Sequence, residues 1–231
     1  MTTGTAAAPS AVETRDLGKR FGRLWALSHC NLAVAPGEAM LLAGANGSGK
    51  TTLLRLVAGL HRPTRGTVTV FGHDSVRERM ACRRSLAVVS HYSYLYDRLT
   101  ALETVRLWAR LLGRSSAEKD LLEQLDEVGL GERSRVAVGG FSAGMRKRLT
   151  LVQARLKEPR LVVFDEPFSA LDRQGQGLVE AWIASFRAAG AAVILASHDL
   201  ERAAKTCDRA VILQHGQQVW SGPAAEVVSR F

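Results

Sequence analysis

Met40-Leu41-Leu42-Ala43-Gly44-Ala45-Asn46-Gly47-Ser48-Gly49-Lys50-Thr51-Thr52 is the stretch on which the reading of this 231-residue chain turns. Its apolar start reads as a strand, residues 44–51 fit GxxxxGK[ST], and a helical pattern follows over 50–60. Strand, glycine-rich turn and helix, in that order, form the context in which this motif holds phosphate. The glycines let the backbone N–H groups of Gly44, Ala45, Asn46, Gly47, Ser48 and Gly49 converge on an anion. The helix start at Lys50, Thr51 and Thr52 adds its partial positive charge. Lys50 supplies a point charge beside β- and γ-phosphates, and Thr51 presents a hydroxyl to Mg²⁺.

A second apolar run, Leu161-Val162-Val163-Phe164, ends in Asp165-Glu166. A strand end beside a phosphate loop is where a carboxylate reaches the metal, which assigns Asp165 as the second Mg²⁺ partner. Glu166, one residue on, points elsewhere and suits the general base that takes a proton from attacking water. His198 follows a third apolar run, 192–197, and so lies on the ligand side of an open sheet, where it can donate to the γ-phosphate.

Further strands are expected at 67–71, 86–90 and 210–214, and helices at 174–188 and 200–205. The alternation argues for an α/β fold: a P-loop NTPase core with a mainly parallel sheet. Residues 12–16 and 31–34 read as strands of a small antiparallel β sub-domain. From about 100 to 157 the pattern turns helical (101–112, 116–128, 143–157), which implies an inserted α-helical sub-domain. There Ser115 stands three residues before Glu118, a capping-box pattern, and Leu121, Leu122, Leu125 and Val128 form one apolar face for packing. Residues 223–230 suggest a closing helix. Residues 1–11, small and uncharged, read as a disordered tail, which leaves 12–231 as one ATP-binding domain.

Composition narrows the function classes. Hydrophobic residues at 46% and charged residues at 23% suit a globular domain. No apolar run approaches the roughly 18 residues that cross a bilayer, and no signal peptide opens the chain, so a cytoplasmic location is expected. Cys30, Cys82 and Cys207 are too far apart for a CxxC metal or redox site. The net charge of +9 permits anionic partners. The basic residues are scattered, however, with Arg146-Lys147-Arg148 the densest short run, and no aromatic-interleaved stripe marks a nucleic-acid groove. No nucleic-acid partner is expected.

The loop at 44–52, Phe141-Ser142-Ala143-Gly144-Met145 before a helix, Asp165-Glu166, Ser169-Ala170-Leu171-Asp172 and His198 resemble, in that order, the nucleotide-binding subunits of ABC transporters. The likeness spans about residues 12–222. It implies ATP with Mg²⁺ as ligands, and a second copy of the chain as partner in an ATP sandwich. It further implies separately encoded integral membrane permease subunits, with the chain peripheral at the cytoplasmic face of the inner membrane. By the same likeness Ser142 and Gly144 clamp the γ-phosphate bound to the opposite subunit, Asp172 lies in the loop crossing the dimer, and Phe21 stacks on adenine. Two features depart from the pattern. FSAGM replaces the usual LSGGQ but keeps its Ser and second Gly, and His91 stands where a Gln normally reaches toward Mg²⁺ and water. His91 can hydrogen-bond there but coordinates differently and can charge near neutral pH.

His91, the run Asp97-Arg98-Leu99-Thr100-Ala101-Leu102-Glu103, Phe141 to Gly144 and the residues from Asp165 to Gly175 are further similar to the haem-exporter ATPases of cytochrome c maturation, the CcmA type. That likeness implies haem export. Two other readings stay open: the same motor serving a drug, lipid or polysaccharide exporter, and a soluble ABC protein acting as a scaffold or assembly ATPase.

Overall fold

The computed structural model describes residues 10–90 and 95–230. In chain order the elements begin with β1 (Val12–Phe21), β2 (Leu24–Val34), β3 (Ala39–Ala43), α1 (Lys50–Val57), β4 (Arg65–Val70), β5 (His73–Asp74), α2 (Arg79–Arg84) and β6 (Leu86–Val89). Three helices follow, α3 (Ala101–Leu111), α4 (Glu118–Glu127) and α5 (Ala143–Leu156). The chain then returns through β7 (Leu161–Asp165), α6 (Arg173–Ala188), β8 (Ala192–Ala196), α7 (Leu200–Thr206), β9 (Arg209–Gln214), β10 (Gln217–Pro223) and α8 (Val227–Arg230).

Six strands make the main sheet in the order β10-β9-β3-β8-β7-β6, parallel except for β10 at one edge. Every residue of β3 and β8 is buried, as expected of parallel strands covered on both faces. Successive side chains of a strand point to opposite faces. Leu41, Phe164 and Leu195 therefore join one core with Leu149 and Val152 of α5 and Ile183 of α6. Met40, Leu42, Val163 and Ile194 join the other, with Leu53 and Leu56 of α1 and with Leu17, Val34 and Val68 of the second sheet. Full burial of each Leu or Phe contributes about 1.5–3 kcal/mol, so the sheet is clamped between two comparably apolar layers.

The second sheet, β2-β1-β4-β5, is antiparallel and includes the segment at 65–70 that was expected among the parallel strands. Its sequence carries the reason: Val68 and Val70 are buried while Thr67 and Thr69, alternating with them, are not, the alternation of a strand with one covered face. Expected as two short pieces, β1 and β2 instead form one long hairpin, and β10 joins the main sheet at a place with no strand expectation. Helices α3, α4 and α5 pack together, with Leu121 and Leu125 of α4 fully buried as its apolar face requires.

Three expectations need correction or fall away. Ala11, assigned to the tail, is fully buried; its N–H donates to Val34 and its carbonyl accepts from Phe71, extending the sheet by one residue. Residues 1–9 lie outside the described residues, as does His91. Ser115 does not cap α4, because the helix begins later, with Ala117 at its N-cap; the Ser115 hydroxyl donates to Asp120 at 2.8 Å instead.

Candidate functional site

Strand order builds the site. Because β8 lies between β3 and β7, the segments leaving three neighbouring strands, Gly44 after β3, His198 after β8 and Glu166 after β7, meet at one edge of the sheet. Ligands of open α/β sheets bind at that carboxyl edge.

The loop at 44–49 is shaped by glycines, and at two of them, Gly44 and Gly49, a side chain has no room. A Cβ on Gly44 would meet the Leu213 carbonyl oxygen at 2.4 Å and the Ser48 hydroxyl at 2.5 Å. Gly49 has a φ of 109°, and a Cβ there would lie 2.6 Å from the Ala26 carbonyl. Gly49 is also the N-cap of α1. Helices α3, α5, α6 and α7 each start with a side chain accepting a backbone N–H, whereas α1 has no such cap and no acidic residue in its first turn. Its leading N–H groups are thus left for an incoming anion.

Lys50 is 8% exposed, and its ammonium donates to the carbonyls of Gly44 at 2.6 Å and Ala45 at 3.0 Å. Burial lowers its pKa, while the carboxylates of Glu166 and Asp165 pull it upward. Ser48 is 5% exposed and, among the described residues, its hydroxyl has no hydrogen-bond partner. An orphaned hydroxyl inside a glycine cradle, a buried cation and an uncapped helix start together fit a polyphosphate.

Thr51 Oγ1 donates to Asp165 Oδ1 at 3.2 Å, so the hydroxyl and carboxylate expected to share a cation are already neighbours. Burial raises the Asp165 pKa, with the Thr51 hydrogen bond acting against it. Among the described residues no group of three or more His, Cys, Asp or Glu gathers as a metal cage. A Mg²⁺ here would therefore rely on Thr51, Asp165 and the phosphates themselves. Glu166 sits one residue further in left-handed backbone, φ 53°, and its Oε2 lies 2.7 Å from His198 Nδ1 and 3.3 Å from the His198 backbone N. A cavity of about 460 Å³ opens beside Thr51, Asp165 and Glu166 and reaches Trp108 and Gln153 of the helical layer.

Other expected site residues lie apart from this group. Phe21 is 47% exposed at the turn of the β1–β2 hairpin; its ring meets His61 edge-on at 5.6 Å and lies under Lys19, beyond the far end of α1. Ser142 caps α5, accepting from Met145 N at 3.2 Å, and a Cβ on Gly144 would meet the Ala170 carbonyl at 3.1 Å. Asp172 caps α6 through Gly175 N at 2.7 Å and pairs with Arg148 at 3.0 Å; the first of these contacts is the main cause of its lowered pKa. Lys147 carries a contact that the sequence reading missed. Its ammonium reaches the Glu166 carbonyl at 2.6 Å, and burial pushes its pKa down to about 8 against the pull of the Glu166 and Asp165 carboxylates. The one signal in the sequence was the basic run 146–148.

Comparison with known proteins agrees with this geometry. The family profile described as ABC transporter matches residues 27–169. Over 92% of its length the chain is 34% identical to the Nod factor export ATP-binding protein I of Rhizobium sp. (strain N33), covering 70% of that protein. Among solved structures, the ATP binding subunit of an ABC transporter matches with a TM-score of 0.87 at 32% identity, over 96% of this chain and 93% of that one. A dimeric ATP-binding cassette in a post-hydrolysis state bound to ADP and Pi matches with a TM-score of 0.82 at 25% identity, over 92% and 98% of the two chains. Among the described residues no helix is long and apolar enough to cross a membrane. With a profile covering more than half its length, and a phosphate cradle and acidic strand end in register beside it, this chain belongs to the ABC transporter family as an ATP-binding ATPase subunit.

Proposed function

We propose that this ATPase works as one half of an ATP-sandwich homodimer and drives an exporter whose membrane subunits are separate chains, with haem for cytochrome c maturation as the cargo. One observation carries the chemical reading: Thr51, Asp165, Glu166 and His198 converge beside the phosphate cradle, with Glu166 Oε2 held 2.7 Å from His198 Nδ1.

The amides of Gly44 to Thr52 and the ammonium of Lys50 bind the β- and γ-phosphates of ATP, Lys50 exchanging its carbonyl partners for phosphate oxygens. Thr51 and Asp165 hold Mg²⁺, which when bound neutralises charge on the phosphate oxygens. Glu166 accepts the proton of the attacking water. His198 orients that carboxylate by donating Nδ1–H to it and, when both ring nitrogens carry a proton, donates Nε2–H to the γ-phosphate. Phe21 offers its exposed face to adenine. Ser142 and Gly144 at the start of α5 close the partner copy's site, and Asp172 borders the loop between copies; His91, outside the described residues, takes the place of the usual glutamine in the sequence pattern.

Likeness to a Nod factor export protein supports the exporter reading, and likeness to a dimeric cassette supports the sandwich. The haem assignment rests on His91, the run from Asp97 to Glu103, FSAG at 141–144 and the run from Asp165 to Gly175 in the sequence. A strain lacking this gene is expected to lose its c-type cytochromes, seen by haem staining, and to regain them with the wild-type gene but not with Glu166→Gln. Intact c-type cytochromes alongside membrane subunits that co-purify would assign another cargo. Absence of any membrane subunit on co-purification would remove the exporter reading.

A further inference from the structure

The basic run at 146–148 lies in the first turns of the helix that Ser142 caps, and its three cations engage two segments, the one before α3 and the connection between β7 and α6. Arg146 pairs with Asp97 at 2.7 Å and Arg148 with Asp172 at 3.0 Å. Lys147 turns inward and is 7% exposed. Its Nζ donates to the Glu166 carbonyl at 2.6 Å, the Ser169 carbonyl at 3.0 Å and the Ser169 hydroxyl at 2.9 Å. Ser169 Oγ in turn donates to the Glu166 carbonyl at 2.8 Å. An ammonium has three protons, and all of them are committed.

Burying a cation against neutral carbonyls costs free energy that an apolar side chain of the same length would not. Filling space therefore does not explain a lysine at this position. The segment it grips does. Residues 166–170 are bracketed by two non-glycine residues in left-handed backbone, Glu166 at φ 53° and Ala170 at φ 59°. Such conformations cost about 1–3 kcal/mol each and persist where the surroundings over-determine them. Lys147 binds the carbonyl of the first strained residue and the carbonyl just before the second. Gly144 comes close to the Ala170 carbonyl from the same helix, so the start of α5 is seated on this loop at two points.

We propose that Lys147 is a positioning residue that sets the backbone of Glu166, tying the orientation of that carboxylate to the seating of α5. The inference rests on the reading of Glu166 as the base. Lys147 touches no reacting atom and acts through the carbonyls of Glu166 and Ser169. Since Ser142 and Gly144 on the same helix serve the partner's site, Lys147 also links one site's phosphate clamp to the other site's base.

The test uses the full chain with Lys147→Met, of similar length without donors, and Lys147→Gln, which keeps two N–H donors without charge. Lys147→Met is expected to lower kcat about 10- to 100-fold, the scale of a misplaced catalytic group, with KM for ATP within about twofold of wild type. Lys147→Gln should recover most of the rate. In a Glu166→Gln background, Lys147→Met should still dimerise with ATP in sedimentation, while amide hydrogen exchange rises over 166–170 and not over 161–164. A kcat within twofold of wild type, or unchanged exchange at 166–170, overturns the proposal. So does a loss confined to KM and to ATP-driven dimerisation, which would make Lys147 a nucleotide-binding residue. If Glu166→Gln alone hydrolyses ATP at the wild-type rate, the base assignment fails, and the catalytic half of the proposal with it; that failure is seen without touching Lys147.

Discussion

Glutamate and glutamine at position 166 differ in a single proton-accepting oxygen, so their comparison isolates base catalysis from shape. Glu166→Gln keeps the size of the side chain, and its amide oxygen can still accept from His198. ATP should bind, hydrolysis should fall by roughly 10² to 10⁴, and an ATP-bound dimer should accumulate. Hydrolysis at the wild-type rate in a phosphate-release assay would remove Glu166 from the base role. At this scale much of the site was legible in the sequence. Gly44 to Thr52 are consecutive, and Asp165, Glu166 and His198 each end an apolar run, so local chemistry is written in local order. Lys147 was not legible. Its acceptors lie 19 and 22 residues away, and a lysine between two arginines reads as surface charge until α5 is seated on the loop.

Helix ends show how similar patterns diverge. Thr100-Ala-Leu-Glu103 and Ser115-Ser-Ala-Glu118 share the capping-box spacing, yet only the first forms a box, with Glu103 N donating to Thr100 Oγ1 at 3.1 Å and Thr100 N to Glu103 at 2.8 Å. The difference lies in the core. The buried face of α3 begins at Ala101, immediately after its cap, whereas α4 buries nothing before Leu121, so its start can shift past Ser115. Thr100→Ala is expected to destabilise the chain by about 1 kcal/mol in urea denaturation. Glu103 has a lowered pKa, caused first by the Thr100 backbone N–H and next by the Thr100 hydroxyl. A depressed carboxylate contributes stability above its unfolded pKa and loses it as pH falls through the folded value. The stability gap between wild type and Glu103→Gln should therefore be full near pH 7 and close on the acid side of about pH 4. A gap independent of pH would show that the cap does not depend on the carboxylate.

For the molecule as a whole the informative feature is a separation. Lys50, Asp165, Glu166 and His198 gather at one sheet edge, while Ser142 is exposed at the start of α5 and, among the described residues, bonds to none of them. A second copy would give it a role, making ATP part of an interface that ADP cannot complete. Ser142→Arg, which puts a bulky cation where that phosphate should sit, is expected to leave ATP binding to the monomer largely intact and to abolish ATP-driven dimerisation. Mixing it with excess Lys50→Ala should restore limited hydrolysis at one composite site, where an intact Lys50 meets the partner's intact Ser142. Sedimentation and hydrolysis assays on each protein and on the mixture check this, and full activity from a strict monomer would sink the sandwich.

The sequence by itself determined the phosphate cradle, the acids at a strand end and the α/β class, because each is encoded by consecutive residues with a fixed local geometry. Only the tertiary structure decided that β8 separates β3 from β7, bringing His198 against Glu166, and that β4 leaves the main sheet to pair with β1. It alone also turned Lys147 inward. Strand order and helix seating are settled by which apolar faces cover each other across distant parts of the chain, and no local pattern carries that choice.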